Sequence, residues 1–227
     1  MSKYKVAVGI NYYDDPKGLI RILSDETLYD YVSTFYVIDG RYAQRYDLPE
    51  NDPDFTLDLK SIYSKMHLVQ MSNVTQIEKR NTYFDLAVEN NEDFLIVCDS
   101  DEFIRIDPDT LNSSLRTVMD RSARCYPILQ HMEGITSQAR PRLFKGPFDY
   151  YHKESGNPDI ISHGSLWDEQ GKEVIAEMYE WYKDHEKHEK NGTQGALPGI
   201  AMWHDKTYRT RERVIADRIY YDEVKNR

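Results

Sequence analysis

A chain of 227 residues, 40% hydrophobic and 30% charged, has the apolar content for one sizeable α/β core and is not a disordered segment. Its formal net charge of −10 excludes the broad basic face of a non-specific nucleic-acid binder, while Arg209, Arg211, Arg213 and Arg218 leave room for a local basic groove. Two cysteines, Cys98 and Cys125, are too few for a disulfide framework, and no apolar run approaches the ~20 residues of a membrane-spanning helix. Met1–Lys5 leads straight into a strand, without the apolar core of a signal peptide. The expectation is a soluble, cytoplasmic protein, for which the sequons at Asn73, Asn112 and Asn191 are chance matches. The 18 tyrosines suit a half-buried surface or a wet, ligand-lined cleft.

Lys5–Ile10 reads as a first strand, followed by the turn Asn11–Pro16. Pro16 fits the first turn of a helix continuing to about Tyr31, with Leu19, Ile22 and Leu23 on one face. Ser33–Ile38 is a second strand, closed by Asp39-Gly40. The polar segment Arg41–Ser61 reads as a long loop with room for a short helix, a length that usually signals function or mobility. Met66–Gln70 is a third strand, and Thr75–Glu89 a helix with Ile77, Phe84 and Val88 at helical spacing. Phe94–Val97 is apolar throughout, the pattern of a strand buried on both faces of a parallel sheet, and it ends in Asp99-Ser100-Asp101.

Beyond Asp107-Pro108-Asp109 a helix runs to about Met119 and a strand covers Cys125–Gln130. From Gln138 to Leu166 the pattern dissolves into Pro, Gly, His and aromatics, as in a region that lines a site. A helix is predicted over 172–190, with a stripe of Val174, Ile175, Met178, Trp181 and Tyr182. A strand at Gly199–Trp203 leads into His204 and Asp205, and a charged helix starts near Arg209. Strands alternating with helices predict a parallel, right-handed α/β sheet without internal repeats.

Two carboxylates at i and i+2, where a buried strand leaves the core, fall at the sheet edge where open α/β folds bind ligands. Hard oxygen ligands of this kind hold a divalent cation on a diphosphate. The same pair can equally cap a turn and the following helix.

The order of these parts resembles a GT-A fold nucleotide-sugar glycosyltransferase, most like family 2, over Lys5–Phe103 with a weaker echo to about Tyr220. Val6–Asn11 resembles the first strand of those enzymes and Val37–Gly40 their second. Glu78–Asn81 resembles the segment placing a basic residue near the diphosphate, and Asp99–Asp101 their metal-binding Asp-x-Asp. His204 resembles the late metal-binding histidine of some GT-A enzymes. The resemblance implies a Rossmann-like, mostly parallel sheet flanked by helices in one domain. Residues 1–103 would form its nucleotide-sugar-binding half, and 104–227 its acceptor-side half and C-terminal helices.

On that resemblance Asn11 and Asp39 contact the base or ribose, Lys79 or Arg80 offsets the phosphates, and Asp99, Asp101 and His204 hold Mn2+ or Mg2+. Asp99 has the alternative of reaching the ribose. An imidazole ligand favours Mn2+. Each residue also has a plain structural account: Asp39-Gly40 as a turn, Arg80 as a solvated helix residue, His204 as an ordinary structural imidazole.

The chain lacks a Gln-x-x-Arg-Trp motif, which disfavours a processive synthase, and no Glu-Asp pair marks the catalytic base. Asp149, Glu154 and Asp159 lie in the right part of the chain for an acceptor-side carboxylate, with surface acid as the default for each. Arg140-Pro-Arg-Leu-Phe144, followed by His152, resembles an acceptor-side segment whose arginines grip a phosphate or an anionic acceptor. His185 and His188 lack further ligands for a zinc site and read as a charged helix face.

The expected activity is metal-dependent, non-processive hexosyl transfer from a UDP- or GDP-sugar to a carbohydrate or other hydroxyl, with inverting and retaining courses both open. A nucleotidyltransferase is the enzyme alternative, ranked lower because Asn11–Asp15 is acidic and glycine-free where that class places a phosphate loop. A GT-A domain that binds nucleotide-sugar or glycan without turnover is the non-enzymatic one. A nucleic-acid acceptor is disfavoured by the net charge.

Overall fold

Runs dense in β-branched and aromatic residues, each closed by a polar turn, build the parallel half of one sheet. In the computed structural model these are β1 (Val6–Tyr12), β2 (Thr34–Asp39), β3 (Met66–Gln70) and β4 (Phe94–Asp99), in the order β3-β2-β1-β4 and all parallel. The structure describes residues 3–41, 51–132, 135–153, 166–174 and 195–205, with Glu177, Thr207, Arg211, Val214, Ile215, Arg218 and Ile219. Strand β1 is buried along its whole length between β2 and β4, which explains its unbroken apolar character.

The helices refine the expectation. The predicted helix from Pro16 to Tyr31 is two, α1 (Pro16–Leu23) and α2 (Glu26–Tyr31). Asp25 is the reason: its carboxylate accepts the Leu28 N–H at 2.9 Å and starts a new helix in mid-run. The polar segment contains α3 (Pro53–Ile62), capped by Asp52 with Pro53 at its start. Helix α4 (Gln76–Glu89) opens with a capping box between Thr75 and Glu78. Its buried face is not the expected Ile77–Phe84–Val88 stripe, since Val88 is 52% exposed. Phe84 is buried as expected, but Tyr83 and Ala87 turn inward beside it, and they bring Lys79 and Arg80 with them.

The second half differs more. It comprises β5 (Glu102–Ile106), α5 (Pro108–Met119), β6 (Cys125–Met132), β7 (Ile135–Lys145) and β10 (Ile200–His204), which extend the sheet as β4-β7-β6-β10-β5. A small hairpin of β8 (Tyr150–His152) and β9 (Leu166–Asp168) packs beside α4. Strands β5 and β7 run against the others, so the sheet is mostly rather than wholly parallel. Strand β7 is the main correction: the start of the patternless stretch is an 11-residue central strand. Its signature is hidden because register shifts interrupt the β6–β7 ladder, and Pro127 faces Pro141 where neither can donate.

Strands β4 and β5 stand in the middle and at the end of the sheet order, yet Asp99 and Glu102 are only three residues apart. A span of three residues reaches about 10 Å. The sheet therefore curls until its β5 edge returns to the carboxyl end of β4. The acidic turn sits at this closure. One face of the sheet packs on α1, α2 and α5 through Leu19, Ile22, Leu111 and Leu115, the other on α4 and the hairpin through Tyr83, Phe84 and Tyr150. Cys98 and Cys125 are buried in these layers, which pushes both thiols up and leaves them unreactive. Among the described residues no helix is long and apolar enough to cross a membrane.

The helix predicted over 172–190 does not begin there, because Glu173 bridges to Trp167 in extended form. Ile175, Met178, Trp181, Tyr182, His185 and His188 lie outside the described residues, as do Asn191, Arg209 and Arg213. Glu177 is described, and with Asp168 it surrounds Arg124 at 2.7 and 2.8 Å. The Arg124 hydrogen bond holds Asp168 below the usual carboxylate range. Burial pushes Glu177 up, but its bonds to Arg124 and Lys172 outweigh that and leave it lowered. Folded-state values below unfolded ones give stability that is present above about pH 4 and lost as pH falls through the folded values. In acid titrations followed by circular dichroism, Arg124→Met is expected to flatten the stability loss as pH falls below about 4.

Candidate active site at the carboxyl end of the sheet

The turn from β4 to β5 carries Asp99, Ser100 and Asp101. Helix α1 lies directly on it. A Cβ on Gly18 would strike the Ser100 carbonyl oxygen, so only glycine permits this approach. Asp15, just before α1, does not use its side chain as a cap; its Oδ2 accepts from Ser100 Oγ at 3.0 Å. Gly18→Ala is expected to destabilise the fold by about 1–3 kcal/mol in urea denaturation, despite the better helix propensity of alanine.

Asp101 is 3% exposed, and its Oδ2 lies 2.8 Å from His204 Nε2. Its carbonyl oxygen accepts the Asp205 N–H at 2.9 Å, and Asp205 pairs with Arg21 of α1 at 3.4 Å. The end of β10 thus reaches the acidic turn across 103 residues of sequence. Beside it, Phe103, Trp203 and His131 stack in one row across β5, β10 and β6, with centroids 5.5 and 4.6 Å apart, and the Arg21 guanidinium caps Phe103 at 3.5 Å.

Asp99 turns the other way. Its Oδ1 accepts from Asn11 Nδ2 at 3.3 Å and lies 3.7 Å from Arg80 Nη2. The Asn11 Oδ1 atom is buried and has no hydrogen-bond partner among the described residues. Asn11, Arg80 and Asp99 therefore form one cluster, and Asp101 with His204 a second, joined by the turn. Arg80 is a buried residue rather than a solvated one. Lys79 is fully buried and engaged elsewhere: its ammonium donates to the carbonyls of Tyr12 and Gly40, both at 2.8 Å, and ties the ends of β1 and β2 together.

Asp39 is also at this edge, at the end of β2, with both carboxylate oxygens accepting hydrogen bonds. Asn51 Nδ2 donates at 2.5 Å and Thr56 Oγ1 at 2.6 Å. Asn51 Oδ1 in turn accepts the Asp14 N–H at 3.0 Å, so one amide bridges the loops after β1 and β2. Burial, helped by the nearby carboxylates of Asp39, Asp14, Asp15 and Asp52, raises the Tyr12 phenol far above its ordinary value and keeps it neutral.

Asp149 is not brought here. It lies 43% exposed near the opposite end of the strands, 3.4 Å from Arg124. Strand β7 is the physical reason: it runs downward and pairs Lys145 with Phe94 at the start of β4. Glu154 and Asp159 lie outside the described residues. Arg140 is exposed and donates to Gln138, and His152 is stitched to α4 through both of its main-chain polar groups by Asn81. Arg142 meets a carboxylate of this chain, Glu102, at 2.6 Å.

Glu102 is the residue that sequence reasoning passed over. It is buried beneath the acidic turn, where it accepts from Arg142, from Gln130, and from the Asp99 N–H at 2.9 Å. Burial pushes its carboxyl up, the Arg142 charge opposes that, and Asp99 and Asp101 add to the rise. An acid directly after Asp-x-Asp and at the start of a strand was the available signal.

Among the described residues no group of three His, Cys, Asp or Glu stands ready to hold a metal. The Asp101–His204 pair nevertheless suits one chemically. Two adjacent ligands of a six-coordinate cation at about 2.1 Å stand about 3 Å apart, close to the 2.8 Å seen here. A carboxylate and an imidazole that share a proton can share Mn2+ with little movement.

The sheet order, the curl that returns β5 to the end of β4, and the acidic turn at that closure make this a Rossmann-like α/β protein of the GT-A type. No protein-family model matches the chain, and no curated protein does. Among solved structures it is similar to the mannosyltransferase PcManGT from Pyrobaculum calidifontis in complex with GDP-Man and Mn2+, at 14% identity over 58% of this chain and 37% of that one, with a TM-score of 0.42. It is similar to TarS from S. aureus at 17% identity over 60% of this chain and 23% of that one, TM-score 0.39. It is also similar to a 4-diphosphocytidyl-2C-methyl-D-erythritol synthase from Anaerococcus prevotii, at 9% identity over 63% of this chain and 70% of that one, TM-score 0.39. The chain thus spans well under half the length of the first two. Likenesses this distant assign it no chemistry.

Proposed function

We propose that the chain transfers a sugar from a nucleoside-diphosphate sugar to an acceptor hydroxyl, with a divalent cation held by Asp101 and His204. The observation that carries this reading is the 2.8 Å contact between Asp101 of the acidic turn and His204 at the end of β10. His204 is only partly buried, and a histidine placed there by packing alone has no need of the buried Asp101 carboxylate. When bound, the cation supplies Lewis-acid stabilisation of the departing diphosphate.

The chain's own residues divide the remaining work. Arg80 adds positive charge beside Asp99 to offset the phosphates. Asp99, held by Asn11, presents acceptor oxygens to a ribose hydroxyl or to a water on the cation. Asp39 is held at the base end by Asn51 and by the fully buried Thr56, which leaves Asn51 and Asp39 as the nearest readers of the base. Glu154 and Asp159 are the candidates for an acceptor-side carboxylate. The acidic, glycine-free turn after β1 disfavours nucleotidyl transfer, in which a phosphate loop with a basic residue is needed there.

The test is calorimetric binding of UDP and GDP, each with Mn2+, Mg2+ or EDTA, followed by turnover of the matching sugar nucleotides. Metal-dependent binding of one nucleotide supports the reading. Binding of neither, by folded protein, overturns its UDP and GDP forms.

A further inference from the structure

Strand β7 carries an irregularity at the place where it passes the acidic turn. Tyr126 pairs with Leu143, but the next pair is Pro127 with Pro141, which leaves Arg142 as an extra residue opposite no partner. A bulge of this kind re-aims a side chain. Here it sends the Arg142 guanidinium to Glu102 Oε1 at 2.6 Å, where Gln130 of β6 also donates. The other oxygen, Oε2, accepts the Asp99 main-chain N–H at 2.9 Å. Glu102 is 2% exposed and Arg142 9%. A buried ion pair adds little net stability, because desolvating two charges offsets their attraction. Stability alone therefore gives no reason for a bulge, an arginine and a glutamate to converge on this one main-chain N–H.

We infer that Arg142 and Glu102 are positioning residues that set the conformation of the Asp99–Asp101 turn and hold its two carboxylates in orientation for a cation. Arg142 orients Glu102, Glu102 fixes the Asp99 N–H, and the turn then directs Asp99 toward Asn11 and Arg80 while Asp101 faces His204. Outer partners of this kind change metal affinity by about 10- to 100-fold when removed. The inference rests on the metal-assisted reading above.

The test is Mn2+ affinity, by electron paramagnetic resonance titration in the presence of UDP or GDP, of wild type, E102L/R142M and R142K. The double variant replaces the pair by apolar groups of similar length, so the fold is retained while the Asp99 N–H loses its acceptor. Positioning predicts Mn2+ binding about 10- to 100-fold weaker in the double variant, an unchanged far-ultraviolet circular dichroism spectrum, and near wild-type behaviour for R142K, which keeps one charged donor. Unchanged Mn2+ affinity in a folded double variant overturns the inference and leaves the donor-site reading intact. Should E102L/R142M fail to fold, E102Q/R142M replaces it: the neutral amide has one acceptor oxygen for Gln130 and the Asp99 N–H together, and the same loss is expected. Wild type that binds no Mn2+ with either nucleotide overturns both readings.

Discussion

Asp101→Ala is expected to lose metal-dependent nucleotide binding and turnover by roughly 10²- to 10³-fold while remaining folded. The size is that of removing a carboxylate which, on the proposed function, coordinates the cation directly and contributes several kcal/mol of charge stabilisation. Stability is expected to change little. Asp101 is buried beside Asp99 and Glu102, and its charge is among those that raise the Glu102 carboxyl. Deleting that charge relieves repulsion but also removes the 2.8 Å bond to His204, and the two effects offset each other. Asp101→Asn should behave alike, because it keeps the volume and loses the charge. A variant that melts early and still binds nucleotide with metal would make Asp101 a structural residue.

Two adjacent residues of α4 should separate in the same assays. Lys79→Met is expected to cost about 2–4 kcal/mol in urea denaturation, because it removes two charge-assisted hydrogen bonds and leaves the Tyr12 and Gly40 carbonyls without that donor. Its folded fraction should bind nucleotide nearly as wild type does. Arg80→Met should cost less stability, since its contact with Asp99 is a long 3.7 Å, and should weaken nucleotide binding by about tenfold, one phosphate-directed charge. If Lys79→Met left stability intact and abolished binding, the ammonium would be reaching the phosphates instead of the strand ends.

The contrast between these neighbours shows how far sequence alone reaches. A basic pair at the start of a helix following β3 is visible in the chain, and so is the need for positive charge near a diphosphate. Which of two consecutive side chains serves that need depends on a 100° rotation about the helix axis. That rotation is set by Tyr83 and Phe84, whose rings fill the space over β1 and against the hairpin. Periodicity suggested Ile77, Phe84 and Val88 as one face; Phe84 is buried as expected, but the Tyr83 ring beside it turns Val88 outward.

The acidic turn was legible for a different reason. The apolar run Phe94–Cys98 ends where the strand leaves the core, so Asp99 and Asp101 lie at a sheet edge. The strand-to-turn pattern, the parallel first half and the capped helices are local properties, governed by side-chain period, by proline and by capping groups within a few residues. The sequence by itself determined those.

Only the tertiary structure decided what meets that edge. The partnership of Asp101 with His204, the delivery of Arg142 to Glu102 and the removal of Asp149 to the far end all depend on where β7 and β10 enter the sheet. Strand β7 meets β4, and β10 meets β6 and β5, through pairings between residues about 45 to 100 positions apart, and strand β7 carries two arginines and a proline that erase its alternation. Nothing in a window of ten residues encodes such a pairing, because its stability comes from the completed curl of the sheet, in which every buried N–H and C=O must find a partner at once.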